Sequence, residues 1–221
     1  EGAVRDLRLT LASPPVERDP AGFRSLALKE ALALALRVQS KADEGAKLMR
    51  EVVDARTDRL GPEASDTLVS KVHLSSFEAM LGNDATAEAL AHTALAGFER
   101  MYGRDHMGTL NANQTLGTML TIRGKWKEAR PFQEAALAAA TKLYGEDNPL
   151  WSDSAGEMGI TLLRVGETAQ AELLLSRAAA GRAKFYGDRN QYTRHARAEH
   201  ASALIQLGRL EVETPDHVVL R

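Results

Sequence analysis

Eight glycines stand in two interleaved ladders that share one step. Gly61, Gly103, Gly145 and Gly187 follow one another at intervals of 42 residues, and Gly82, Gly124, Gly166 and Gly208 keep the same interval half a period away. An apolar residue precedes each member of the first set: Leu60, Tyr102, Tyr144 and Tyr186. Self-similarity at a fixed period of this size marks a repeat array, a chain that grows by stacking one supersecondary unit on the next.

Glycine just past the last helical turn adopts a left-handed conformation without the Cβ clash other residues meet, so the ladders read as helix stops, two per repeat. The clearest start signal is Asn148-Pro149, where Asn can cap free N–H groups and Pro suits the first helical position. One period either side places the corresponding starts at His106-Met107 and Asn190-Gln191. The first helices of the pairs are therefore predicted over 66–81, 108–123, 150–165 and 192–207. The second helices are predicted over 84–102, 126–144 and 168–186. One period back, a further pair falls at 24–39 and 42–60, with Ser40 and Asp19 in the glycine positions. That pair is degenerate, as terminal repeats tend to be.

Interior columns agree with this register. Ala33, Ser75, Gly117, Gly159 and Ala201 form a small column beside Leu32, Leu74, Leu116, Met158 and His200. In the second helices Ala87, Ala129 and Ala171 align, as do Ala94, Ala136 and Ala178. Large beside small at fixed positions lets antiparallel helices approach and interlock. The segment from Gly124 through Trp126, Glu128, Ala129, Pro131 and Phe132 to Leu137, running on through Lys142-Leu-Tyr-Gly-Glu-Asp-Asn-Pro149, resembles a 42-residue tetratricopeptide repeat of the kinesin-light-chain type. The resemblance covers about residues 24 to 208. It departs where family repeats carry paired asparagines on the first helix; here those columns read Val72-His73, Gln114-Thr115, Gly156-Glu157 and Ala198-Glu199.

The resemblance implies an all-α, right-handed α-solenoid of stacked antiparallel helical hairpins. It would occupy 19–208 with about four and a half repeats. Residues 1–18, with Ser13-Pro14-Pro15, read as a linker or the remnant of a preceding helix. Residues 209–221 read as an irregular cap or linker, because Pro215 falls where a further helix would have its interior and costs about 3 kcal/mol there. The start at Glu1 without an initiator methionine suggests a piece of a longer chain or a mature form.

Composition narrows the function. Charged residues make up 26% and the formal net charge is −2, which supplies no global pull toward nucleic acid or anionic lipid. The absence of cysteine excludes disulfides and thiolate metal sites. The most apolar stretch, from Leu26 to Val38, is interrupted by Lys29, Glu30 and Arg37, well short of the roughly 20 residues of a membrane span. His195 and His200 stand five apart, which turns them about 140° from each other on a helix, whereas a zinc pair needs i and i+4. Gly103 through Gly108 opens a helix without forming a phosphate loop, and nucleophile-elbow and nucleotide fingerprints are absent. These readings point to no catalytic residues, no metal and no cofactor.

Two sets of candidate binding residues remain. In the resembled family the first helices line the concave groove, and extended peptides or helices lie in it. The register then assigns to the groove Glu30 and Arg37, His73 and Ser76, and Asn111, Gln114, Thr115 and Thr118. Asp153, Glu157 and Arg164 follow, then His195, Glu199 and Ser202. A clamp for a peptide C-terminus would want a basic column, but that column reads Glu30, Val72, Gln114, Gly156 and Ala198. Separately, Arg177, Arg182, Lys184, Arg189, Arg194 and Arg197 face Asp188 alone between Leu173 and Ala198. With Tyr186 and Tyr192 interleaved, this basic patch reads as a solvated face, an acidic protein's docking site or, third, a nucleic-acid contact.

The expected function is a non-catalytic, cytoplasmic protein- or peptide-binding scaffold, the interaction module of a larger multidomain protein. The alternative is a regulatory sensor, responsive to a peptide or small molecule, attached to a bacterial kinase or transcriptional regulator. No membrane partner is expected, nucleic acid is disfavoured, and exposed solenoid ends allow an end-to-end homodimer.

Overall fold

The computed structural model describes residues 2–13, 19, 21–213 and 217–220. Among them, ten helices run in order: α1 (Gly2–Leu11), α2 (Phe23–Val38), α3 (Ala42–Leu60), α4 (Ser65–Met80) and α5 (Asp84–Tyr102), then α6 (Met107–Ile122), α7 (Trp126–Tyr144), α8 (Pro149–Val165), α9 (Thr168–Tyr186) and α10 (Gln191–Gln206). The chain divides into two units, Glu1–Gly103 and Arg104–Arg221. Within each unit every helix packs on the next in sequence. In the second unit the first helices also touch one another, α6 on α8 and α8 on α10. The result in each is a stack of antiparallel helical hairpins.

Helix ends fall where the glycine ladders put them. The predicted second helices coincide with α3, α5, α7 and α9, and the predicted first helices begin one residue early. All eight ladder glycines have positive φ, between 66° and 92°. Ser40, which takes a glycine position in the degenerate repeat, is the one non-glycine residue with positive φ among those described, at 59°. The backbone thus keeps the left-handed stop even where the sequence has lost the residue suited to it. Helix starts follow the column as well. His106, Asn148 and Asn190 each accept a hydrogen bond from the N–H two residues on, at 3.1, 2.9 and 2.8 Å. Ala64, in the same column before α4, has no side chain to do so.

Packing between helices is set by paired sizes. In the first unit Phe77 is fully buried with Leu26, Ala33, Ala46, Met49, Val52 and Leu74. A Cβ added at Gly45 would lie 2.4 Å from the Phe77 ring. The later repeats carry Ala87, Ala129 and Ala171 in the column of Gly45, and Met119, Thr161 and Ala203 in that of Phe77. The repeat with the largest ring therefore has the smallest facing residue, which keeps the core at crystal-like density. The second unit buries Trp151, Leu110, Ala139, Ala140, Ala155 and Ala178 in one cluster and Met158, Leu162, Leu163 and Leu175 in another.

At the N-terminus α1 buries Val4 against Leu32 and Leu36, so residues 2–11 are a packed helix. Pro14 and Pro15 lie outside the described residues. At the other end the described residues form two short strands. Leu210–Glu213 (β1) and His217–Leu220 (β2) pair as antiparallel strands, Leu210 opposite Leu220 and Glu213 opposite His217. Val212, Val218 and Val219 are β-branched and favour extended backbone. Pro215 lies outside the described residues. Among those described, no helix is long and apolar enough to cross a membrane.

Ser40→Gly is expected to raise stability by about 0.5–1 kcal/mol, because relief of left-handed strain exceeds the added unfolded-state entropy. Gly145→Ala should lower it by about 1–2 kcal/mol. Urea denaturation of the two variants beside the parent measures both shifts, and opposite signs are required.

Candidate functional site

The first helices of the two units carry the polar residues assigned to the groove, and the units satisfy them differently. In the first unit, Glu30 on α2 accepts from Arg56 of α3 at 2.9 Å and lies 2.9 Å from Nδ1 of His73 on α4. Burial alone would push the Glu30 carboxyl up, but the His73 hydrogen bond and the Arg56 charge outweigh it and hold the group below its ordinary range. Stability from this pairing is present above that ordinary range and is lost as pH falls through the lowered value. Arg56 also donates to Ser70 at 2.5 Å. Ser76 bonds back to the Val72 carbonyl at 3.4 Å, and Arg37 is exposed with no partner among the described residues. Glu30, His73 and Arg56 thus use up one another's charge.

In the second unit, an open cleft of about 480 Å³ is lined by Gln114 and Thr118 of α6, Asp153 and Glu157 of α8, Arg182 and Tyr186 of α9, and Asn190 and Tyr192 at the start of α10. Four groove candidates therefore share one wall system. Gln114 donates to Ser154 Oγ at 2.9 Å, which ties α6 to α8. Asp153 accepts from Arg182 Nε at 2.9 Å and from the Tyr186 hydroxyl at 3.1 Å. Burial first, and then the Asp153 charge, push the Tyr186 hydroxyl above its ordinary value.

Glu157 is the exception. Among the described residues no hydrogen bond or ion pair reaches its carboxyl. Burial raises its pKa, with Asp153 and Glu199 adding to the rise and Arg182 and His195 opposing it. The charged form is therefore the disfavoured one, and ionising Glu157 costs stability as pH rises from its ordinary value through the raised one.

The remaining candidates flank this cleft. Arg164 reaches Glu199 at 3.3 Å and lies over the Trp126 ring at 5.9 Å. Asn111 is exposed, and Thr115 bonds back to the Asn111 carbonyl at 2.9 Å. Ser202 bonds to the Ala198 carbonyl at 3.0 Å, and His195 is exposed. His200 faces Glu172 at 3.2 Å, on a different side from His195.

The six basic residues do not form one free patch. Arg177 pairs with Glu146 and lies over Trp151 at 4.5 Å; Lys184 pairs with Asp147 and Arg197 with Asp188, each at 2.5 Å. Arg182 is 4% exposed and turns into the cleft. Only Arg189 and Arg194 of the six are exposed and without a partner among the described residues. The Lys184–Asp147 pair is one member of a column, since Lys142–Asp105 and Arg100–Glu63 occupy the same positions in the two preceding repeats. Each cation sits in the last turn of a second helix, where the helix dipole favours it, and each acid in the loop before the first helix of its repeat. Charge counted along a contiguous window misses these partners, which lie 37 residues back in the chain.

Tyr186, Asn190, Tyr192 and the inward turn of Arg182 were not assigned to the groove from sequence. The signal for Arg182 is Gly156, where other repeats carry Glu30, Val72, Gln114 and Ala198. A Cβ at Gly156 would lie 2.9–3.1 Å from three guanidinium atoms of Arg182. The glycine makes the space that the arginine fills.

The family model of the tetratricopeptide repeat matches residues 66–142 and 111–184. Among solved structures, a Podosopora anserina protein described as a putative kinesin light chain with nearly identical TPR-like repeats is 22% identical, with a TM-score of 0.69 over 86% of this chain and 88% of that one. A variant of the same protein gives 0.70 over the same shares. BtubC (BKLC) from P. vanneervenii is 15% identical, with a TM-score of 0.71 over 93% of this chain and 80% of its own. No curated protein matches the chain.

Asp153→Ala should cost about 3 kcal/mol by leaving the Arg182 guanidinium buried without its carboxylate. Arg182→Met, which removes the buried charge and leaves an Asp153 side chain that is 35% exposed to water, should cost less, about 1 kcal/mol. Thermal unfolding of both variants checks the contrast, and equal losses would contradict it.

Proposed function

The chain belongs to the tetratricopeptide repeat family, and from that premise we propose that its second unit holds an extended segment of a protein partner in the cleft between α6, α8, α9 and α10. Repeats of this family generally serve as protein-interaction scaffolds. The observation that carries the reading is the convergence of Gln114, Thr118, Asp153 and Glu157 with Tyr186, Asn190 and Tyr192 on one open cleft. Amide, hydroxyl and carboxylate groups at that spacing suit the N–H and C=O groups of an extended backbone, which needs partners at short intervals.

The first unit favours no equal site. There the groove carboxylate, Glu30, is already held by Arg56 and His73. A ligand would have to break that network before it could use it.

The test is a displayed library of extended peptides enriched on the full chain. The double variant Gln114→Trp/Thr118→Trp fills the cleft from α6 with bulk and leaves the core clusters untouched. Retention should fall at least about tenfold, a loss of about 1.4 kcal/mol, while circular dichroism stays that of the parent. Undiminished retention would remove the cleft from the binding surface.

A further inference from the structure

The cleft has a chemical preference that the repeat architecture does not dictate. Its charged groups pair off with one remainder. Arg182 is committed to Asp153, and beside the cleft Arg164 is committed to Glu199. Glu157, half-buried in the cleft wall, is left with no paired cation among the described residues. A buried carboxylate without a partner is costly, and a protein avoids that cost by protonating the group or by bringing a cation to it. The elements facing Glu157 supply no such cation. Asp153 stands on its own helix, Arg182 and Tyr186 on α9, and His195 and Glu199 on α10. The one permanent cation among them is locked against Gly156 by two contacts to Asp153, through Nε at 2.9 Å and to the backbone carbonyl at 3.4 Å.

We propose that this cleft reads an arginine or lysine side chain of the bound peptide, with Glu157 as its counter-ion and Tyr186 and Tyr192 as the aromatic part of the same wall. The inference rests on the peptide-binding reading above. The cleft is large enough for a long side chain, and its opening lets the charged head reach Glu157 from solvent. Tyr192 is 56% exposed and Tyr186 40%, so both rings have surface left to cover. Aromatic faces attract guanidinium and ammonium groups, which makes them fitting neighbours for a carboxylate that awaits a cation. A carboxylate ligand fits poorly, since it would meet Asp153 and Glu157 with no uncommitted cation in the cleft. Arg189 and Arg194 have no partner among the described residues, but they do not line it. The basic segment read from sequence thus surrounds a site that selects the opposite charge from the one its composition suggests.

The experiment uses the full chain and blocked peptide pools with uncharged random flanks, the central residue fixed as arginine, lysine, citrulline, norleucine or glutamate. Binding is read by competition in fluorescence anisotropy. The arginine and lysine pools should bind about tenfold tighter than the citrulline and norleucine pools, the worth of one charge-assisted hydrogen bond. Glu157→Gln, a near-isosteric change, should reduce that preference to below about twofold while the variant remains as stable as the parent or more so at neutral pH. A preference that survives in Glu157→Gln overturns the inference, and so does a preference for the glutamate pool; both leave the peptide-binding reading standing. If no pool binds, or if Gln114→Trp/Thr118→Trp binds every pool as the parent does, the peptide-binding reading fails and the inference falls with it.

Discussion

A left-handed residue at a fixed interval governs this chain. Where a helix of L-residues must stop and reverse, one residue takes positive φ, and only glycine does so without cost. Repetition of that constraint every 42 residues fixes where each helix ends, and hence which side chains share a column. Ser40 shows that the constraint is geometric, because the backbone turns left-handed there with a serine in place. Once the columns are fixed, core packing, the repeated ion pairs and the polar row on the first helices follow as consequences of register.

The same register explains why the two units differ in what they leave free. Arg56 and Arg182 belong to one column, with Phe98 and Ala140 between them. Arg56 turns to Glu30, and a histidine joins it. Arg182 turns over Gly156 to Asp153, one turn of helix from Glu157. The small shift of acceptor, from the position of Glu30 to that of Asp153, is what leaves a carboxyl unpaired in the second unit. Surface pairs such as Lys184–Asp147 contribute little individually, about 0–1 kcal/mol each. Their effect here is to neutralise a segment that looks strongly basic in sequence.

Sequence was a good guide to whatever depends on local backbone and period. The ends of α3, α5, α7 and α9 and the caps at His106, Asn148 and Asn190 were legible because each rests on one residue's conformational preference. The grouping of Gln114, Thr118, Asp153 and Glu157 was legible because helical phase places them on one face. The partners of Arg177, Arg182 and Lys184 were not read, since they come from another helix or loop, 31, 29 and 37 residues away in the chain. Tyr186 was read as part of a structural column, yet its ring is partly exposed and its hydroxyl serves Asp153. Pro215 argues only against a helix after Arg209 and says nothing of the two strands that stand there.

At the centre of this account is a single uncompensated carboxyl in a cleft otherwise balanced in charge. The most direct measurement is a carbon-detected NMR titration of the Glu157 side-chain carboxyl, free and saturated with a blocked arginine peptide. The account predicts a midpoint above the ordinary value of 4.5 in the free protein, because burial disfavours the charge, and a fall in that midpoint when the guanidinium arrives. An ordinary midpoint in the free protein, or one that the peptide leaves in place, would contradict it.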